Sequence, residues 1–299
     1  MPKSDALFNQ VVVLADGRSL GYAEYGKPDQ PPLFLFHGLP GSRLDVPEMW
    51  SETPSNVRII APDRPGVGLS TFQPQRRLTD WSHDVRQLAD SLGIERFLVA
   101  GFSGGGPHAL AVAHGLSNRV IAAASISGAG MFTSPDDRKG MNSLNRLIFA
   151  VARMMPAVLW LIAAPHARQV KRNPTKVIDK AAQDKHVPIA DREVLLDPRT
   201  REKMIDAGPE MFRQGVRGFI QEAHLAATPW DFDPSAIKPP VSFWHGEMDT
   251  NVPIQSIKLL AGRIAGSRVT IFPGEGHLIV PRHWNEIVEE LLSFQEHHL

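Results

Sequence analysis

The stretch Gly101-Phe102-Ser103-Gly104-Gly105 is the part of this chain best suited to nucleophilic chemistry. Phe97-Leu98-Val99-Ala100 before it has the continuous apolar character of a strand covered on both faces. After it, Pro107 suits a first helical turn, and Ala109-Leu110-Ala111-Val112-Ala113 continues as a helix. A serine at the tip of so sharp a turn needs neighbours without side chains, because the helix packs close to the incoming strand. Its hydroxyl is a weak nucleophile until a base takes its proton. That base in turn needs a third group to fix its tautomer.

When a serine is presented between strand and helix in this way, its partners follow in the order acid, then histidine. Asp249, in Gly246-Glu247-Met248-Asp249, lies in the loop past the predicted strand Val241-Ser242-Phe243-Trp244-His245. Glu247 is its nearest rival. Ligands of open parallel sheets bind beyond the carboxyl ends of the strands, and Asp249 has that address. Of the 12 histidines, His277 alone has both the order and a place on a glycine-rich loop after the last predicted strand. His245, expected to close a strand, and His283, expected on the final helix, have weaker claims. Negative charge developing on a substrate carbonyl needs two backbone N–H donors. Gly104, just after the serine, and Leu39, in His37-Gly38-Leu39-Pro40-Gly41, are the natural pair. Pro40 has no N–H, and its ring restricts Leu39 toward an extended backbone.

The bulk numbers narrow the class. At 299 residues and 33.0 kDa, with 42% hydrophobic and 21% charged residues, the chain reads as one large globular domain or a domain with an insertion. Lys+Arg 32 balance Asp+Glu 32, so neither nucleic acid nor an anionic membrane is expected as the main partner. The absence of cysteine excludes disulfides, thiolate metal sites and a thiol nucleophile. Met1 to Ala6 lacks the apolar core of a signal peptide, and a cytoplasmic location is expected. The apolar segment Leu147 to Ala164 approaches the length of a membrane span, but Arg153 and Pro156 fall near its centre. Two shorter packed helices are expected there, with a membrane-surface contact left open as the minor reading.

The elements that must position these groups alternate. Strands are expected over Gln10 to Leu14 and Ser19 to Tyr25, with Asp16-Gly17 as a hairpin turn between them. Further strands are Leu33 to Phe36, Val57 to Ala61, Phe97 to Ala100, Val120 to Ile126, Val241 to His245 and Arg268 to Phe272. A short helix is expected from about Leu44, and a longer one capped by Thr79 and stopped by Gly93. Helices over Ile254 to Ile264 and Trp284 to Phe294 complete an α/β alternation, which implies a mostly parallel sheet covered on both faces. From about Met131 to Trp230 no buried strand is apparent. The chain divides into a core, 1–130 and 231–299, and an inserted helical cap, 131–230.

These landmarks together resemble the α/β-hydrolase superfamily. They are His37-Gly38-Leu39-Pro40-Gly41, Asp63-Arg64-Pro65-Gly66-Val67-Gly68, Gly101-Phe102-Ser103-Gly104-Gly105, Gly246…Asp249 and Gly276-His277. The resemblance runs from about Leu33 to the C-terminus and is interrupted only by the cap. It implies an eight-stranded, mostly parallel sheet, with Ser103 as nucleophile, His277 as base and Asp249 as its orienting acid. It also implies an oxyanion hole from Leu39 and Gly104, with Asp63 holding its loop rather than reacting. The reaction it implies is hydrolysis of carboxylic esters through an acyl-enzyme, with no metal or organic cofactor. The substrate would be a small ester or amide carrying a lipophilic group. Phe102 and, in the cap region, Met131, Phe132, Met141, Trp160, Met211, Phe212, Phe219 and Trp230 are candidate pocket liners, and a homodimer is left open.

Departures from family patterns bear on subclass. Proline iminopeptidases share an HGxPG-like loop, but usually with glycine where Leu39 stands and a tryptophan-bearing turn at the serine. An aminopeptidase or amidase of that branch would need an acidic group for a substrate ammonium, and Glu222 is the candidate. Haloalkane dehalogenases and epoxide hydrolases carry aspartate where Ser103 stands. Haloperoxidase-like and hydroxynitrile-lyase-type activities on the same three residues stay open. So does a different class, a non-catalytic ligand sensor on a hydrolase scaffold.

Overall fold

The apolar runs form one eight-stranded sheet in the computed structural model, which describes residues 7–46, 56–132 and 134–296. The chain opens with β1 (Gln10–Val13) and β2 (Ser19–Tyr25), joined through Gly17 at φ +82°. β3 (Pro32–Phe36), β4 (Arg58–Pro62), α1 (Asp80–Ser91), β5 (Phe97–Phe102), α2 (Gly106–Gly115) and β6 (Val120–Ile126) follow. A helical segment carries α3 (Ser143–Met154), α4 (Pro156–Arg172), α5 (Pro174–Gln183), α6 (Ile189–Leu196), α7 (Pro198–Met211) and α8 (Arg217–Ala227). The chain then re-enters the sheet with β7 (Val241–Gly246), α9 (Ile254–Ala261), β8 (Arg268–Phe272) and α10 (Val280–Glu296). The short helix expected from about Leu44 falls mostly outside the described residues.

The strand order is β1-β2-β4-β3-β5-β6-β7-β8. Only β1–β2 and β2–β4 pair antiparallel; every later pairing is parallel. The order reverses at β3 and β5, the switch point where an open sheet parts its loops into a crevice. Alternation along each strand sorts the core into two layers. Phe34, Phe36, Phe97 and Val99 pack under α1, α2 and α9, while Leu33, Leu35, Leu98 and Ala100 pack against α10. Trp81 and Trp284 anchor the two layers, both essentially buried. Each such large side chain contributes on the order of 2–3 kcal/mol by leaving water.

Two local details differ from the sequence reading or refine it. Thr79 precedes α1 but does not cap it, because its backbone is already helical (φ −68°, ψ −23°). Its hydroxyl donates instead to Asp231, tying α1 to the chain that returns from the helical segment. The apolar run Leu147 to Ala164 is split at Met155 (φ −144°, ψ 61°) into α3 and α4. Pro156 starts α4 in the first helical turn, where its missing N–H costs nothing.

Candidate active site

Parallel pairing brings the candidate residues to one edge. Phe36 on β3 pairs with Gly101 on β5, so the loops after these strands leave side by side and Leu39 meets Gly104. Gly246 on β7 pairs with Phe272 on β8, which sets the Asp249 and His277 loops together.

The turn at Ser103 is as crowded as its glycines predict. Ser103 has φ +51°, the left-handed region that costs a side-chain-bearing residue about 1–2 kcal/mol. A Cβ on Gly101 would stand 2.1 Å from the Gly105 carbonyl oxygen, and one on Gly105 would stand 2.1 Å from that of Phe36. No side chain fits either place. The Ser103 carbonyl accepts the Ala129 amide at 2.9 Å, which holds the 3₁₀ turn from Ser103 to Gly105 against the loop after β6.

His277 Nε2 lies 3.0 Å from Ser103 Oγ, and His277 Nδ1 lies 2.7 Å from Asp249 Oδ2. With Nδ1–H donating to the carboxylate, Nε2 is left to accept the serine proton. Asp249 Oδ1 accepts the amides of Asn251 (2.8 Å) and Val252 (2.9 Å), so the carboxylate is fixed by its own loop. Glu247, the rival acid, is exposed. His245, the penultimate residue of β7, sits behind Asp249, its Nε2 donating to the Val252 carbonyl at 2.8 Å. Burial keeps His245 below the ordinary histidine range, although the Asp249 charge opposes this. Burial also acts to lower His277, but the charge and hydrogen bond of Asp249, joined by the charge of Asp191, leave it raised.

The Leu39 and Gly104 backbones are neighbours: a Cβ on Gly104 would lie 3.3 Å from Leu39 N. The Leu39–Pro40 peptide is cis. The loop is held from below by Arg64, whose Nη1 and Nη2 donate to the His37 and Gly38 carbonyls at 2.5 and 2.9 Å. Asp63 accepts the Arg43 and Leu69 amides at 2.7 and 2.9 Å and pairs with the Arg43 guanidinium at 2.9 Å, a loop-holding part.

The helical segment is clasped to the sheet by buried polar contacts that no sequence motif announced. Glu222 on α8 pairs with Arg64 at 2.6 Å and with Arg76, all three buried. Glu222 is therefore committed to two guanidinium groups and turned away from any substrate ammonium. Glu210 on α7 pairs with Arg43 at 2.5 Å. Asp191 on α6 accepts the amides of His277 (2.9 Å) and Leu278 (2.8 Å). A Cβ on Gly276 would stand 2.4 Å from Asp191 Oδ2, so that glycine admits the clasp. An acid in a long helical stretch carries no local signature of such a role.

Above Ser103, between the sheet edge and these helices, lies a cavity of about 590 Å³. Ser103, Gly104, Leu39, Phe102 and His277 form its floor, and Phe149, Met211, Phe212 and Phe219 are among its apolar walls. Of the liners expected from sequence, Phe102, Met211, Phe212 and Phe219 reach it. Phe132, Met141 and Trp230 do not, because they are packed into the main core, and Met131 lies against that core. Trp160 does not either, since it faces outward from α4 and is half exposed. Periodicity could not separate the inner from the outer face of helices that are apolar on both.

Known proteins agree with this architecture. Residues 33–290 match the model of the Alpha/beta hydrolase family. A proline iminopeptidase of Xylella fastidiosa is 34% identical over 108 residues, which cover 34% of this chain and 34% of that protein. An uncharacterized hydrolase of Saccharomyces cerevisiae is 28% identical over 135 residues, 44% of this chain and 46% of its own length. The matches thus span a third to a half of these relatives. Among solved structures, the enol-lactonase from Burkholderia xenovorans superposes with a TM-score of 0.65 at 19% identity, over 96% of this chain and 100% of that one. A thermophilic esterase from Thermogutta terrifontis gives a TM-score of 0.61 at 21% identity, over 96% and 98%. With the family model matched over most of its length, on an eight-stranded and mostly parallel sheet, this chain belongs to the alpha/beta hydrolase family.

Proposed function

We propose that this chain is a serine hydrolase that cleaves carboxylic esters bearing a lipophilic group. The observation that carries the reading is one imidazole, His277, within hydrogen-bond reach of both Ser103 and Asp249 at the floor of an apolar cavity. Ser103 Oγ attacks the ester carbonyl while His277 Nε2 takes its proton, and Asp249 holds the imidazole and balances its charge. The oxygen of the tetrahedral intermediate takes hydrogen bonds from the Leu39 and Gly104 amides. As the intermediate collapses, the C–O bond to the alcohol breaks and His277 returns the proton to the leaving oxygen. Water, deprotonated by His277, then attacks the acyl-enzyme and frees the acid and Ser103. These steps call for no metal or organic cofactor. The segment 131–230 serves as the cap that walls the substrate cavity and keeps water from it.

An aminopeptidase reading finds less support. Glu222 is occupied by Arg64 and Arg76. The one carboxyl lining the cavity among the described residues is Asp45, which burial pushes up to about 7 while it accepts the Ser42 amide. Glu222 does not line the cavity, and Asp45 is only partly ionised near neutral pH, so neither offers a full and free charge to a substrate ammonium. A chain-length series of p-nitrophenyl esters, run beside fluorogenic proline amides, tests the assignment. Ester turnover is expected to exceed amide turnover and to vanish in Ser103→Ala. Equal rates in wild type and Ser103→Ala would sink it.

A further inference from the structure

The outer face of α3 and α4 is apolar where water should be. Leu144, Leu147 and Met154 mark one side of α3 at helical spacing, and Val158, Leu161 and Ile162 do so on α4. Met154 is 75% and Leu161 65% exposed, and Met155 and Trp160 add to the same hairpin. Scattered exposed apolar residues need no explanation, but a contiguous set of this size on two adjoining helices marks an interaction surface. The charges within these two helices have one sign. Between Asn142 and Asn173 stand Arg146, Arg153, Arg168, Lys171 and Arg172 and no acidic residue, in a chain whose formal net charge is zero. None of the five is paired with a carboxylate among the described residues, and all are exposed.

We propose that this face docks on an anionic lipid bilayer, with α3 and α4 lying in the headgroup plane. Exposed apolar side chains and unpaired cations on the same two helices have the composition of helices that lie in the interface rather than cross it. No helix among the described residues is long and apolar enough to cross. A second copy of the chain is the poorer occupant, because two-fold pairing would set five cations against five. The sequence reading ranked membrane-surface contact as the minor possibility on net charge and the broken span. Net charge hides the local excess, and a break by Pro156 makes two interfacial helices rather than none. Leu144 and Ile162 also line the cavity above Ser103, so on the ester-hydrolase reading docking would open that cavity to lipid-dissolved substrate.

Vesicle flotation tests the surface without any turnover. Wild type is expected to float with phosphatidylcholine vesicles containing about 30% phosphatidylglycerol, weakly with phosphatidylcholine alone, and less as salt rises. Arg153→Glu/Arg172→Glu should weaken binding on the order of tenfold or more, given that each surface cation is worth about fivefold near anionic lipid. Met154→Asp/Leu161→Asp should abolish flotation while leaving the melting temperature and p-nitrophenyl acetate turnover as in wild type. Ser103→Ala should float like wild type, which separates this surface from the catalytic assignment. Absence of flotation with the anionic vesicles, or flotation untouched by Met154→Asp/Leu161→Asp, overturns the proposal. So does a dimer in light scattering that Leu161→Asp converts to monomer, which would give the face to a second copy.

Discussion

The carboxylate of Asp191 accepts the backbone amide of His277 at 2.9 Å, from a helix 86 positions earlier in the chain. The loop that carries the candidate base is thus positioned by the helical segment as well as by the sheet. Removing the charge in Asp191→Asn is expected to weaken the clasp by about 1–3 kcal/mol, the penalty for a buried donor left poorly paired. It should also lower the His277 pKa, because Asp191 is one of the charges that raise it. The readout is the acid limb of kcat/KM, which should move to lower pH. A limb that stays in place would show a purely structural contact.

Hydrolysis by the proposed route requires neutral His277. Burial alone would place its pKa below 6.5, but Asp249 and Asp191 outweigh burial and leave it above that value. Activity should therefore fall as pH drops through a midpoint above 6.5, measured as kcat/KM on a neutral ester. By linkage, the same raised pKa stabilises the folded chain fully below pH 6.5, and that share is lost as pH rises through the folded value.

Ser103→Ala should lower ester turnover by on the order of 10⁴-fold or more, since serine and histidine act as one unit in such sites. Its melting temperature should hold, because alanine keeps the Cβ and the left-handed backbone of Ser103 and removes only the hydroxyl that meets His277. Labelling by a fluorophosphonate, expected at Ser103 in wild type, should disappear in the same variant.

Gly101→Ala and Gly93→Ala separate crowding from conformation. At Gly101 a Cβ would stand 2.1 Å from a carbonyl oxygen, and a cost of about 3 kcal/mol or more is expected with loss of activity. At Gly93, φ +66° ends α1 with nothing within 4 Å, and the cost should be about 1–2 kcal/mol with activity kept. Denaturant unfolding beside ester assays reads both.

Glu222→Gln should destabilise by about 3–5 kcal/mol, because it leaves Arg64 and Arg76 buried without their counter-charge. Arg64 also holds the His37 and Gly38 carbonyls, so kcat should fall more than KM rises. A KM effect confined to amine-bearing substrates would instead revive Glu222 as a substrate anchor.

Much of this protein is written locally. A glycine two residues either side of Ser103, apolar runs of strand length, and acid and histidine in loops after the last two strands are short-range facts. Strand sterics and the carboxyl-end rule make candidates of Ser103, Asp249, His277, Leu39 and Gly104 from the chain alone, and the structure brings the first three side chains within hydrogen-bond reach. What tertiary structure decided is where one element lands on another. Asp191 on His277, Glu222 between two arginines, and Trp160 facing out while Phe212 and Phe219 face in all join residues far apart in sequence. Helices apolar on both faces leave no periodicity to read, and a buried ion pair has no spacing rule. Packing of the inserted helices over the sheet edge settles them.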